Sequence, residues 1–192
     1  MNRNSQVGIS LSAAVSKVAA GMREITVKVG GSKGRHGSGT IWRPGLIVTN
    51  AHVANSQVHN LEFATGMRAP GWLVARDRKL DLAALAVSAP FGHIAAIRSA
   101  SELRAGEMVL ARGSPSDGHG SVTTGIVHCP VSNSPWLLAD IRSAPGYSGG
   151  PLAETSGAVI GINTMIVEPL GCAITSDALE EFLSRFHLSE DA

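Results

Sequence analysis

The chain has 192 residues, 44% hydrophobic and 16% charged, with 16 Lys+Arg set against 15 Asp+Glu for a formal net charge of +1. That length suits one domain, or two small subdomains sharing a core. The even charge balance lacks the basic footprint of a nucleic-acid binder, and the apolar content is too high for a disordered chain. No run approaches the ~18 apolar residues of a membrane-spanning helix. The apolar stretch from Val7 to Val15 is broken by Gly8, Ser10 and Ser12 behind a single Arg3, which makes a poor export signal, so a soluble cytoplasmic protein is expected. Leu11, Val15, Val18 and Met22 recur at helical spacing and predict a short amphipathic helix over 10–20.

Beyond residue 24 the pattern changes to short runs of Val, Ile, Thr and Leu punctuated by Gly, Pro, Ser and Asn. Ile25–Val29 alternates apolar and polar, and Thr40–Trp42 and Leu46–Thr49 flank Arg43-Pro44-Gly45 as a hairpin. Strands are predicted at Leu61–Ala64, Gly71–Ala75 and Leu82–Val87. After a connector near 90–104, more follow at Glu107–Ala111, Ser121–Cys129, Trp136–Ile141 and Ala158–Val167. Many short strands at such spacing indicate an all-β sandwich or barrel. From Asp177 the period changes: Leu179, Phe182, Leu183 and Phe186 share one face of a C-terminal helix (177–187) with Asp177 as its N-cap.

Cys129 and Cys172 have no CxxC neighbour and read as two buried free thiols, with a single bridge between them left open. The seven histidines never fall at HExxH spacing, and no Cys/His cluster has the spacing of a zinc site. Neither a metal nor any other cofactor is expected.

Three segments carry chemistry. Ile47-Val48-Thr49-Asn50-Ala51-His52-Val53 delivers a histidine at the end of an apolar strand. Asp77-Arg78-Lys79-Leu80-Asp81-Leu82-Ala83 places two aspartates at the mouth of another. Pro145-Gly146-Tyr147-Ser148-Gly149-Gly150-Pro151 sets a serine in a glycine-rich loop. Each alone is ordinarily structural: a satisfied histidine, a turn former, a plain turn. Together they are what nucleophilic catalysis by serine requires. A hydroxyl is inert until a base takes its proton, and the base needs a carboxylate to fix its tautomer. Glycines beside the serine let backbone N–H groups face a developing oxyanion.

The order His, Asp, Ser matches chymotrypsin-fold proteases rather than subtilisins or α/β-hydrolases. Thr49-Asn50-Ala51-His52-Val53, Asp81-Leu82-Ala83 and Gly146-Tyr147-Ser148-Gly149-Gly150-Pro151-Leu152 resemble the three catalytic motifs of the HtrA/Deg protease domain. Weaker matches lie between and beyond them at Ala111–Pro115, Val122–Val127, Val159–Thr164 and Ala173–Ser176, so the resemblance covers roughly 10–187. It implies two six-stranded antiparallel β-barrels, about 24–92 and 105–176, within a single protease domain spanning 1–192. It also implies His52 as general base, Asp81 rather than Asp77 as its orienter, and Ser148 as nucleophile. The N–H groups of Gly146 and Ser148 would form the oxyanion hole. Arg142, Ser143, Thr164, Met165 and Ile166 would line the substrate site; relatives carry small residues where Arg142 stands, and an outward Arg142 is favoured over an inward one, which would need an acidic partner. The implied activity is a serine endopeptidase acting on proteins or peptides.

The chain also departs from that family. Tyr147 stands where relatives carry Asn and trypsins carry Asp, no peptide-binding PDZ domain is expected after the last helix, and residues 1–41 lack the aromatic residues that hold family trimers. No trimer is therefore expected. Two other readings stay open: a catalytically silent protease-fold scaffold, and a protease active only when a partner orders its loops.

Overall fold

A computed structural model describes residues 3–30, 36–88, 93–114, 120–128, 134–167 and 169–188. The N-terminal helix α1 (Arg3–Glu24) runs well beyond the stretch that periodicity marks. Its anchorage lies at the C-terminal end: Met22 is fully buried and packs with Val15 and Val18 on Leu110, Ala153 and Val122. Leu11, expected on the same buried stripe, is 52% exposed, while the apolar contacts of the helix among the described residues come from Val15, Val18 and Met22.

Six strands follow: β1 (Thr26–Gly30), β2 (His36–Arg43), β3 (Leu46–Asn50), β4 (Val58–Glu62), β5 (Arg68–Asp77) and β6 (Leu82–Ala86). They close into a barrel in the order β1-β2-β3-β6-β5-β4, every neighbouring pair antiparallel. Val27, Val29, Ile41, Ile47, Leu61 and Leu85 fill its interior. These alternate residues point inward because successive side chains of a strand face opposite ways.

The second set comprises β7 (Met108–Gly113), β8 (Ser121–Ile126), β9 (Trp136–Ala139), β10 (Pro151–Glu154), β11 (Val159–Val167) and β12 (Leu170–Thr175). It forms a curled sheet in the order β8-β7-β10-β11-β12-β9 around Val109, Val127, Leu137, Leu152 and Ile160. Its two edges meet where the His128 N–H donates to the Leu138 carbonyl and the Asp140 N–H to that of Ile126, both at 2.9 Å. The fold is mostly β with two helices. The first of the two expected barrels is fully closed, and the second is an open sheet drawn nearly shut.

A shared apolar layer joins barrel and sheet. Trp42, Val48 and Leu82 pack there with Val159, Ile162 and Ile174 and with Leu179, Phe182 and Leu183 of α2 (Ser176–Arg185). The Trp42 indole N–H donates to Glu180 at 2.8 Å, and Arg43 pairs with the same carboxylate. The N-cap of α2 is Thr175, whose Oγ1 accepts the Ala178 N–H; Asp177, expected in that role, accepts the N–H groups of Ala100 and Ser101 instead. Cys172 is buried and free, and burial pushes its thiol up to about 11. Cys129 lies outside the described residues. No helix among them is long and apolar enough to cross a membrane.

Candidate active site

Antiparallel pairing sets Asn50 of β3 against Leu82 of β6, so the turn after β3 and the residue before β6 share one end of the barrel. The Asp81 carbonyl fastens them, accepting the Ala51 N–H and the Asn50 side-chain amide, each at 3.0 Å. Asp81 is left-handed, at φ +57°, a conformation that few residues except Gly, Asn and Asp adopt readily. Its carboxylate faces the histidine. Oδ1 accepts the His52 backbone N–H at 3.0 Å, and Oδ2 stands 2.7 Å from His52 Nδ1. An ionised carboxylate only accepts, so in the neutral ring the proton sits on Nδ1 and Nε2 keeps its lone pair. The His52 side chain is about half exposed.

The third contact to this carboxylate comes from the other half of the molecule. The Thr164 hydroxyl donates to Asp81 Oδ2 at 2.8 Å. Thr164 lies in a register shift of β11 between Asn163 and Met165, and such bulges re-aim side chains out of the regular pleat. Burial opposes ionisation of Asp81, but the hydrogen bonds from His52 and Thr164 outweigh it and hold the carboxyl below its ordinary range. Asp77 is occupied elsewhere: Oδ1 caps the turn through the N–H groups of Lys79 and Leu80, and Oδ2 pairs with Arg185 at 2.8 Å.

Ser148 sits in a loop braced from both halves. Its carbonyl accepts the Ser38 N–H at 2.8 Å, and the Gly149 N–H donates to the Asn163 carbonyl at 2.8 Å. Gly149 has φ +86°, and a Cβ there would run into the Ser38 carbonyl, so glycine is required on two counts. Gly146, at φ +100°, has its carbonyl held by Ser38 Oγ at 2.6 Å and by the Ser114 N–H at 3.2 Å. Among the described residues the N–H groups of Gly146 and Ser148 meet no protein acceptor. Tyr147, the departure from the family pattern, is buried, and its phenol oxygen accepts the Ser121 hydroxyl at 2.7 Å. Its side chain thus serves the core while its backbone serves the loop.

Ser148 Oγ donates to the Thr164 carbonyl at 3.0 Å rather than to the His52 ring. Arg142 is exposed, Ser143 half-buried and Thr164 buried, while Met165 and Ile166 are exposed on the outer end of β11. That end pairs only with β12 among the described strands, which leaves its other edge open. Two contributions escaped the sequence reading: Ser38, which holds the Gly146 carbonyl, and the Thr164 hydroxyl on Asp81. Each bond joins residues far apart in the chain (108 and 83 positions), and no local pattern announces either one.

Residues 37–162 match the family described as the trypsin-like peptidase domain. The chain is 37% identical over 156 residues to serine protease HTR4 of Bos taurus, covering 74% of this chain and 32% of that protein. It is 36% identical to serine protease HTRA1B of Danio rerio over 165 residues, 79% of this chain and 35% of the other. The mitochondrial serine protease HTRA2 of Bos taurus is 36% identical over 165 residues, 78% and 36% respectively. The chain thus spans about a third of the length of the curated relatives it matches.

Proposed function

Because this chain belongs to the trypsin-like peptidase family, we propose that it is a serine endopeptidase hydrolysing protein or peptide substrates, with residues 1–192 acting as one protease unit. The supporting observation is the array Thr164–Asp81–His52 near a serine loop whose Gly146 and Ser148 N–H groups meet no acceptor among the described residues. In this reading His52 Nε2 takes the proton of Ser148 Oγ as that oxygen attacks the scissile carbonyl. The resulting oxyanion is received by the N–H groups of Gly146 and Ser148, and His52 then passes the proton to the leaving amine. Asp81 holds the imidazole in register and stabilises its protonated form. Substrate lies as an added strand along the open edge at Thr164, Met165 and Ile166. Arg142, being exposed, leaves a small pocket near Ser143 suited to Val, Ala or Leu before the cleaved bond.

A second reading, activation by a bound partner or substrate, draws on the Ser148–Thr164 bond. A substrate N–H that takes the Thr164 carbonyl would release the Ser148 hydroxyl toward His52. A fluorophosphonate probe tests both readings. The native chain should label, alone or faster with a peptide present, and Ser148→Ala and His52→Ala should not. A native chain that stays unlabelled in both conditions would overturn the enzyme reading.

A further inference from the structure

Arg112 is a largely buried charge. It closes β7 beside Gly113 and is only 9% exposed, yet among the described residues no carboxylate pairs with it and no acceptor meets its guanidinium N–H groups. Its Nε is fully buried with no hydrogen-bond partner. A guanidinium cannot shed its proton, and a buried cation without a directly paired carboxylate is costly. Burial, and then the neighbouring charge of Arg23, pull its pKa below the ordinary value, against weaker opposing effects of Tyr147 and of the Glu24 carboxylate.

The side chain lines a cavity of about 160 Å³ together with Arg23, Lys28, Glu62, Ser114 and Gly120. Three cations stand there against one carboxylate, and Glu62 already pairs with Arg68 at 3.0 Å. A Cβ at Gly120 would collide with the guanidinium, so glycine there keeps the space open. The cavity is too small for a nucleotide but admits a single oxyanion group. Planar guanidinium donors suit that shape.

We infer that this cavity is a binding site for a small oxyanion, a phosphate or carboxylate group, with Arg112 as its principal ligand and Arg23 and Lys28 as its rim. The site adjoins the nucleophile loop. The Ser114 N–H donates to the Gly146 carbonyl, a Cβ at Gly113 would fall 2.7 Å from Tyr147 Cα, and the Asn163 side chain holds the Arg112 carbonyl at 3.2 Å. An anion that fixes Arg112–Ser114 therefore steadies the loop presenting the Gly146 N–H. This second step rests on the proposed peptidase activity; the binding itself does not.

The test is titration with inorganic phosphate and, separately, acetate, each against chloride at matched ionic strength, read by calorimetry and thermal melting. Saturable binding of at least one is expected, and the arm that binds identifies the group. Binding should weaken about tenfold or more in Arg112→Met, as expected for loss of charge-assisted hydrogen bonds, and to a lesser degree in Arg23→Ala. Arg112→Met should still fold, since replacing a buried charge by an apolar side chain is commonly neutral or stabilising. No saturable response to either anion, or binding unchanged in both variants, would overturn the site. Peptide hydrolysis should rise with phosphate or acetate in the native chain and not in Arg112→Met. Binding without that rise would overturn the link to the loop.

Discussion

Asp81 shows how one side chain draws several roles from its surroundings. Its two oxygens take the His52 backbone N–H, the His52 ring and the Thr164 hydroxyl, all within 3.0 Å. Hydrogen bonds to a charged group are worth about 1.5–3 kcal/mol, so Thr164→Val should lower kcat/KM about tenfold or more, while Thr164→Ser keeps most of it. Steady-state kinetics on a peptide substrate would check this, and equal rates for native and Thr164→Val would refute the positioning role. His52→Ala and Ser148→Ala should each remove nearly all activity, and the double variant should be no worse, because such groups act as a unit. Tyr147→Phe should cost about 1 kcal/mol of stability, measured by urea melts, through loss of the bond from Ser121, and should leave kcat/KM close to native. The motifs around His52, Asp81 and Ser148 were legible in the sequence because each is contiguous. Ser38 and the Thr164–Asp81 bond were not, since only the folded chain brings their partners together.

At the scale of elements, the two candidate carboxylates separate by what they join. Asp77 ends β5 and clasps Arg185 in the last turn of α2, whereas Asp81 opens β6 toward the histidine turn. Asp77→Asn should keep most activity and lose no more than about 1 kcal/mol, the usual range for an exposed ion pair. Asp81→Asn should be severely impaired, with a wrong tautomer or misplaced ring. Parallel kinetics and denaturant curves separate the two, and a dead Asp77→Asn would reverse the assignment. The long apolar strands and the helix around Phe182 were readable from periodicity. β10 was not, being four residues that begin at Pro151 straight after a glycine pair, and β12 (Leu170–Thr175) was not predicted as a strand either. The cap of α2 was misplaced by two positions because Thr175 and Asp177 are both good cap formers, and only the tertiary contact with Ala100 and Ser101 takes the aspartate away.

The whole molecule depends on the layer between its halves, since His52 and Asp81 stand on the barrel and Ser148 and Thr164 on the curled sheet. Phe182 is fully buried in that layer, and Phe182→Ala should cost about 3–5 kcal/mol. Activity should then fall at temperatures where the native chain is still active, as paired melting and activity curves would reveal. Acid acts on the same assembly. Burial opposes ionisation of Asp77 too, but the Leu80 N–H, Arg185 and the Lys79 N–H outweigh it, so both aspartates have folded pKa values below the ordinary ~3.9. Their stabilisation is complete above that value and is lost as pH falls through the lowered ones. Melting temperature should therefore drop as pH falls below about 4, less steeply in Asp77→Asn; parallel slopes would exclude a contribution from Asp77. The open edge at the outer end of β11 has a different cost. Met165, Ile166 and Val167 are 43%, 53% and 47% exposed on backbone that no described strand covers on one side. Unpaired apolar edges are templates for unwanted pairing between chains. Concentrated solutions should therefore self-associate through this rim, and a short peptide pairing along it should disperse the aggregates.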